Sequence, residues 1–287
     1  MNRPARVLVT GGTGKTGSIV ARLLAERRDV EPVVASRSGA RAGGAPSGVR
    51  FDWDDEASTI QVLDATRPDA LYLIAPPRDP DPLSAMGPFI AAARERGVRR
   101  AVILGAKPVA SGDAGLGEVY PAVAGAFEEW AVLRPSWFMQ DFVTDHHLAA
   151  MVRAGVLQTA STDGRVAYID AEDIAAVAAV ALTSSTLDNG ELVLTGPEAL
   201  TPEAVATTIG GVLGRPIRVE HVSESELARR LAERMPARLA AALARADVAF
   251  SDDHPTDTVE RLTGRAPRTL AQFVRDRPAA FERRVGH

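Results

Sequence analysis

Through the first half of the chain, short apolar runs alternate with amphipathic stretches. Arg6–Thr10, Glu31–Ala35, Val49–Asp52, Ala70–Ile74, Ala101–Leu104 and Trp130–Arg134 are largely apolar and predict strands buried on both faces. Between them, 15–27, 58–66, 83–96 and 117–128 repeat apolar residues at helical spacing; the first puts Ile19, Val20, Leu23 and Leu24 on one side. Turn residues such as Arg67-Pro68-Asp69 and Gly97 mark the breaks. Strand–helix alternation of this kind predicts a parallel sheet covered on both faces. Ligands then sit at the carboxyl ends of the strands. The loops to watch are 36–38, 75–78, 105–110 and 135–141.

The second half reads differently. Gly164–Asp170 predicts a strand, followed by Asp170 as cap of an Ala-rich buried helix, and Gly190–Gly196 predicts another strand. Thr201 and Pro202 are the cap and first residue of a helix running to Gly214. Pro216–Val222 predicts a short strand. From Ser223 the pattern is helical, with Leu227, Leu231, Met235, Leu239 and Leu243 four apart as a core stripe. The expected fold is α/β: a Rossmann-type doubly wound parallel sheet over residues 1–153 and a smaller, mostly helical substrate-binding part over 154–287, some of whose strands return to the sheet. Gly39–Gly48 reads as a mobile loop.

Composition narrows the function classes. The 287 residues are 46% hydrophobic and 24% charged, with a formal net charge of −4. No basic run marks a nucleic-acid surface. The longest apolar stretch, Ile174–Leu182, is far short of a membrane span. Cysteine is absent, which excludes disulfides and thiolate chemistry, and the five histidines form no metal pattern. The expectation is a cytoplasmic protein, monomer or homodimer, acting on a small molecule without metal, membrane or nucleic acid. Lysine occurs only at 15 and 107 in an arginine-rich background.

Gly14-Lys15-Thr16 looks like the end of a P-loop, but the first P-loop glycine would fall at Val9, inside the first strand. The alternative is Gly12-x-Gly14-x-x-Gly17, a dinucleotide-binding turn in its expected place between strand and helix. Gly11 and Gly12 allow the tight turn, Gly14 a close approach to the pyrophosphate, and Gly17 close packing of helix on strand. Thr13, Lys15 and Thr16 complete it. An NAD-specific site carries an acid at the end of the second strand. Here that end reads Ala35-Ser36-Arg37-Ser38, and Glu31 lies at the strand's start. Arg37 and Lys15 suit a 2′-phosphate, with Ser36 or Ser38 adding hydroxyls. The cofactor expectation is NADP(H), with Asp52 and Trp53 flanking the adenine.

The stretches TGGTGKTG, VASRS, FDW, YLIAPP, GVRRAVILGA, WAVLRPSWFMQDF, YIDAEDIAAVAAVAL and LTGPEALT, in this order and spacing, resemble the NmrA-like branch of the atypical short-chain dehydrogenases, especially the agroclavine and festuclavine group. The similarity runs from residue 5 to about 278. It implies a Rossmann domain with a small C-terminal substrate domain, use of NADPH, and hydride delivery to an imine or iminium, or in relatives to a quinone or enone. It also implies nicotinamide-side contacts at Ala75, Pro76 and Pro77, at Gly105 and Ala106, and at Pro135, Trp137 and Phe138.

One departure bears on the chemistry. Ordinary short-chain dehydrogenases use a Tyr-x-x-x-Lys pair as proton donor. Tyr120 stands in the corresponding region, but Ala124 replaces the lysine, and Gly105-Ala106-Lys107-Pro108 lacks the usual serine. An iminium already carries the positive charge that a carbonyl gains by protonation, so its reduction needs positioning more than acid catalysis. The catalytic candidates are Tyr120, Lys107 and Asp141. Tyr120 is not expected to be an obligatory donor, Lys107 holds cofactor or substrate oxygen, and Asp141, or else Glu118, stabilises a cation. Trp137, Phe138 and Met139 supply an apolar substrate wall. His146 and His147 read as helix-surface residues. Two further readings remain open: an NADP(H)-sensing regulator without catalysis, and a quinone- or azo-type reductase.

Overall fold

The computed structural model describes residues 3–45, 47–77, 79–144, 146–186, 188–249 and 254–282. Arg78, part of one loop singled out above, lies outside the described residues. The first half runs β1 (Ala5–Val9), α1 (Gly17–Ala25), β2 (Val30–Ser36), β3 (Ser47–Arg50), α2 (Glu56–Thr66), β4 (Ala70–Ile74), α3 (Pro82–Glu95), β5 (Arg100–Leu104), α4 (Leu116–Ala126) and β6 (Glu129–Pro135). A 3-10 turn, Met139–Phe142, leads to α5 (His147–Ala154) and β7 (Val156–Thr159). Then come α6 (Ala171–Thr183), β8 (Gly190–Leu194), α7 (Pro202–Leu213), β9 (Arg218–His221), α8 (Glu224–Ala232), α9 (Ala237–Ala249), α10 (Thr258–Thr263) and α11 (Leu270–Arg275).

The chain packs as two compact units, and both are discontinuous. The first comprises 1–135, 171–194 and 258–265; the second comprises 136–170, 195–257 and 266–287. The consecutive stretches 1–153 and 154–287 read from the sequence group the chain differently, because α6, β8 and α10 pack with the first unit.

A seven-stranded sheet, all of it parallel, forms the first unit in the order β3-β2-β1-β4-β5-β6-β8. The order reverses between β1 and β4, which opens a crevice at their carboxyl ends. Leu8, Leu71, Leu73, Ala101, Ile103 and Val132 belong to one continuous core with Phe89 and Val119. Burial on both faces explains why these strands read as unbroken apolar runs. The Gly39–Gly48 segment is not loose throughout: Ala45 is 5% exposed and packs on Ala21 and Val34.

In the second unit β7 and β9 form a two-stranded parallel sheet. A core of Met139, Phe142, Val205, Ile209, Leu270 and Phe273 joins the 3-10 turn to α7 and α11. Gly164–Asp170 is not a strand. Val166 bridges Leu200 antiparallel, while Ile169 bridges Phe138 in parallel, so neither ladder extends. The four-apart leucine stripe is divided between α8 and α9, with Leu227 and Leu231 buried and Leu243 packed against them. No helix among the described residues is long and apolar enough to cross a membrane.

Candidate functional site

The residues that the sequence assigns to the cofactor, Trp137 and Phe138 apart, belong to the first unit, at or just beyond the carboxyl ends of β1 to β6. After β1, Gly11 takes a left-handed φ of 59° and its carbonyl accepts from the Gly14 amide at 2.8 Å. A Cβ on Gly17 would collide with that same carbonyl, so α1 can start there only on glycine. Thr13, Gly14 and Lys15 are exposed on the rim. Thr16 is not: it is 2% exposed, and its hydroxyl accepts from the Tyr72 hydroxyl at 3.1 Å. Thr16 therefore serves the turn, not a ligand placed on its hydroxyl.

Beneath the turn lies a polar network that pattern reading misses. Thr10 Oγ1 donates to the Tyr72 carbonyl (3.1 Å) and accepts from the Ile74 amide (2.8 Å). It ties the end of β1 to the end of β4, across the switch point. Burial raises the Tyr72 phenol well above its ordinary pKa, so it stays a neutral donor. The available signal was a threonine closing β1 and one tyrosine in an otherwise aliphatic β4.

At the end of β2, Ser36 is 6% exposed, whereas Arg37 is exposed. The Arg37 guanidinium has no hydrogen-bond or ion-pair partner among the described residues. Glu31, at the other end of the strand, pairs with Arg6 at 3.1 Å. Asp52 Oδ1 accepts from the Asp54 amide. Trp53 is half-buried: its ring stands edge-on to Phe51 and Phe89, and its Nε1 donates to the Ile74 carbonyl at 3.1 Å. Trp53 is thus a rigid part of the wall. Ala75 and Pro76 are half-buried past β4, and Pro77 is exposed.

The β5–α4 loop is held by β6. Gly105 N–H donates to the Leu133 carbonyl (2.7 Å) and Lys107 N–H to the Pro135 carbonyl (2.9 Å). Arg134 donates to the Lys107 carbonyl (2.7 Å) while pairing with Glu191 of β8 (2.7 Å). Pro135 itself is buried. Tyr120, a catalytic candidate, is 1% exposed and part of the core. Its hydroxyl accepts from the Ala106 amide at 3.1 Å, and a Cβ on Gly105 would meet that hydroxyl. Burial raises its pKa, against the lowering effect of the Ala106 bond and of nearby Arg134. Tyr120 is a positioning residue for the 105–106 turn. Glu118 is likewise committed, its carboxylate accepting from the Gly115 amide that begins α4.

Asp141, Trp137, Phe138 and Met139 belong to the second unit. Ile169 N–H donates to the Trp137 carbonyl and Met139 N–H to the Ile169 carbonyl, both at 2.9 Å. That fixes Trp137 and Phe138, both half-buried, on an extended stretch. Met139 is 1% exposed and packs in the unit's core, so it is not a substrate wall. Asp141 is half-buried in the 3-10 turn, its amide bonded to the Phe138 carbonyl at 3.0 Å. Asp170, which ends the extended stretch before α6, is fully buried. It accepts from Gln140 Nε2 at 2.6 Å and lies 3.3 Å from Arg268 Nε. His146 and His147 do not lie on an open helix surface; their rings stack at 4.1 Å, and burial, with His146 adding to it, pulls His147 down to about 3.

Residues 7–116 match the model of the NAD dependent epimerase/dehydratase family. Agroclavine dehydrogenase of Claviceps fusiformis is 37% identical over 94% of this chain and 96% of its own. The oxidoreductase YesF of Bacillus subtilis is 37% identical over 93% of each chain. The chain belongs to the NmrA-like atypical short-chain dehydrogenases, and is similar to the clavine dehydrogenases among them. It is an NAD(P)-dependent oxidoreductase, not a regulator without chemistry. The fold agrees: the solved triphenylmethane reductase of Citrobacter sp., complexed with NADP(H), superimposes with a TM-score of 0.78 at 20% identity, over 95% of this chain and 99% of that one. In this family member the acid–base pair of ordinary short-chain dehydrogenases is absent, with Ala124 four residues past Tyr120.

Proposed function

We propose that this oxidoreductase uses NADPH to deliver hydride to the C=N carbon of a small cationic iminium, or to an activated C=C bond, in the biosynthesis of a small product. The observation that carries the reading is the state of Tyr120: its hydroxyl is enclosed and engaged by the Ala106 amide. No lysine stands one helical turn on. A ketone reductase must stabilise and protonate a developing alkoxide, and such electrostatic stabilisation is often the largest catalytic contribution. An iminium needs neither: hydride from NADPH adds to the cationic carbon, the C=N π pair becomes the nitrogen lone pair, and the products are a neutral amine and NADP+. The similarity to a protein named agroclavine dehydrogenase supports a redox reaction on a small organic substrate.

In this reading the nucleotide phosphates meet the exposed Thr13–Lys15 turn, and the 2′-phosphate meets Arg37 and Lys15. Ala75–Pro77, Gly105, Ala106 and Pro135 border the nicotinamide, and Lys107 holds its ribose or amide. Trp137 and Phe138 offer aromatic faces to the substrate cation, and Asp141 offers its charge. Asp141→Asn is then expected to raise KM for a cationic substrate more than it lowers kcat. The decisive assay follows NADPH oxidation on one cyclic imine, its ketone analogue, a quinone and an azo dye across pH. Turnover should strongly favour the imine and fall above the imine's own pKa. Equal rates on imine and ketone, or activity on quinone or azo dye alone, would overturn the reading.

A further inference from the structure

The second unit contains a cavity of about 470 Å³, within the size of small-molecule sites. It is lined entirely by α5, the start of β7, the end of α8 and the turn that follows. None of the residues assigned above to cofactor, hydride transfer or substrate wall lines it. Its floor is apolar, from Met151, Leu231 and Met235, which belong to or pack on one small core.

The charged groups around this apolar floor are unbalanced. Three guanidiniums line the cavity, Arg153, Arg230 and Arg234, against the single carboxylate of Glu233. Arg230 is neutralised by Glu226 (2.6 Å) and Glu220 (3.1 Å), and Glu233 is paired with Arg229 (3.2 Å). Among the described residues Arg153 donates to neutral carbonyls, those of Val143 (2.8 Å) and Ala280 (3.5 Å), and its Nε is buried without a partner. Arg234 is exposed and has no carboxylate partner among the described residues. His147 also lines the cavity. An apolar floor bordered by guanidiniums that pair with no carboxylate among the described residues suits a ligand with an apolar body and an acid group. Arg153 and Arg234, which have no carboxylate partner among the described residues, set that ligand's charge.

We propose that this cavity binds a small organic anion with an apolar body, its acid group held by Arg153 and Arg234 and its body laid on Met151, Leu231 and Met235. The proposal is independent of what the enzyme reduces. Its test is calorimetric titration of octanoate and of the uncharged octanamide, with and without saturating NADP+. Octanoate should bind at least tenfold more tightly than octanamide, in the presence and absence of nucleotide alike. Arg234→Gln, an exposed change that leaves the fold intact, should remove most of that preference, and Arg153→Gln the rest. Met235→Trp should fill the cavity and weaken both ligands tenfold or more. Equal affinity for acid and amide, displacement of octanoate by NADP+, or octanoate affinity unchanged in Arg234→Gln and Met235→Trp would each overturn the assignment.

Discussion

The hydroxyl of Tyr120 accepts a hydrogen bond from the backbone amide of Ala106 at 3.1 Å. A tyrosine placed where related enzymes keep a proton donor is here turned to holding a backbone turn. Tyr120→Phe is therefore expected to keep turnover within a few-fold while losing stability. Leaving a buried amide unsatisfied costs about 1–3 kcal/mol, and the half-buried Ala106 amide should fall toward the lower end. Urea unfolding and steady-state kinetics on the same variant separate the two effects, and a thousandfold fall in kcat with the fold intact would restore Tyr120 to the chemistry.

Arg37 stands exposed at the end of β2, where an NAD-specific site would carry an acid. Arg37→Ala should weaken NADPH binding by roughly 1.5–3 kcal/mol, the size of a lost charged hydrogen bond, and leave NADH nearly unchanged. Dissociation constants for both nucleotides, in wild type and variant, check this; equal wild-type affinities would remove the basis for an NADPH preference.

Gly17→Ala places a methyl group against the Gly11 carbonyl. Overpacking of this kind costs about 1–3 kcal/mol. More tellingly, the exposed Thr13–Lys15 turn would be displaced. Saturating nucleotide stabilises a binder by about 2.7 kcal/mol at a hundred times its Kd. That gain, read as a shift in Tm on adding NADPH, should vanish in the variant.

His147 is held neutral in the folded protein, with its pKa lowered to about 3 by burial and then by His146. The unfolded chain takes up a proton near 6.5 that the folded chain refuses. Stability contributed by this residue is thus complete above pH 6.5 and declines as pH falls toward 3. The slope approaches about 1.4 kcal/mol per pH unit for one proton. Chemical denaturation from pH 7.5 to 4.5 should show that slope in wild type, and a slope shallower by nearly one proton in His147→Gln.

Much of this was legible in the sequence for definite reasons. β4 falls at 70–74, as its apolar run predicts, because its core residues are buried between helices on both sides. Thr201 accepts from the Ala204 amide and Pro202 opens α7, since capping chemistry is local. What failed was non-local. Val166 and Ile169 carry a strand-like pattern but pair in opposite senses with Leu200 and Phe138, partners that no window around them contains. Met139 reads with Trp137 and Phe138 as an apolar substrate wall, yet it packs in a core with residues of α7 and α11, over sixty residues further on. The Thr10–Tyr72–Thr16 network lies across the switch point and has no periodic trace. The Arg153 guanidinium is held by the carbonyls of Val143 and Ala280, the second 127 residues away along the chain.

The seventh strand of the sheet, β8, ends at residue 194, and the last helix packed on the first unit, α10, begins at residue 258. Because a nascent chain emerges from its amino end, the cofactor-binding layer cannot be completed when its glycine turn, six strands and flanking helices have left the ribosome. The β6 edge stays open until β8 arrives, with Arg134 still lacking Glu191 and the backbone of 131–135 still unpaired on that side. An open edge of this kind is a hazard for intermolecular pairing. A fragment cut at residue 153 would retain every nucleotide contact proposed above, yet carry that edge permanently, so it should be recovered as aggregate and not as a soluble nucleotide-binding module.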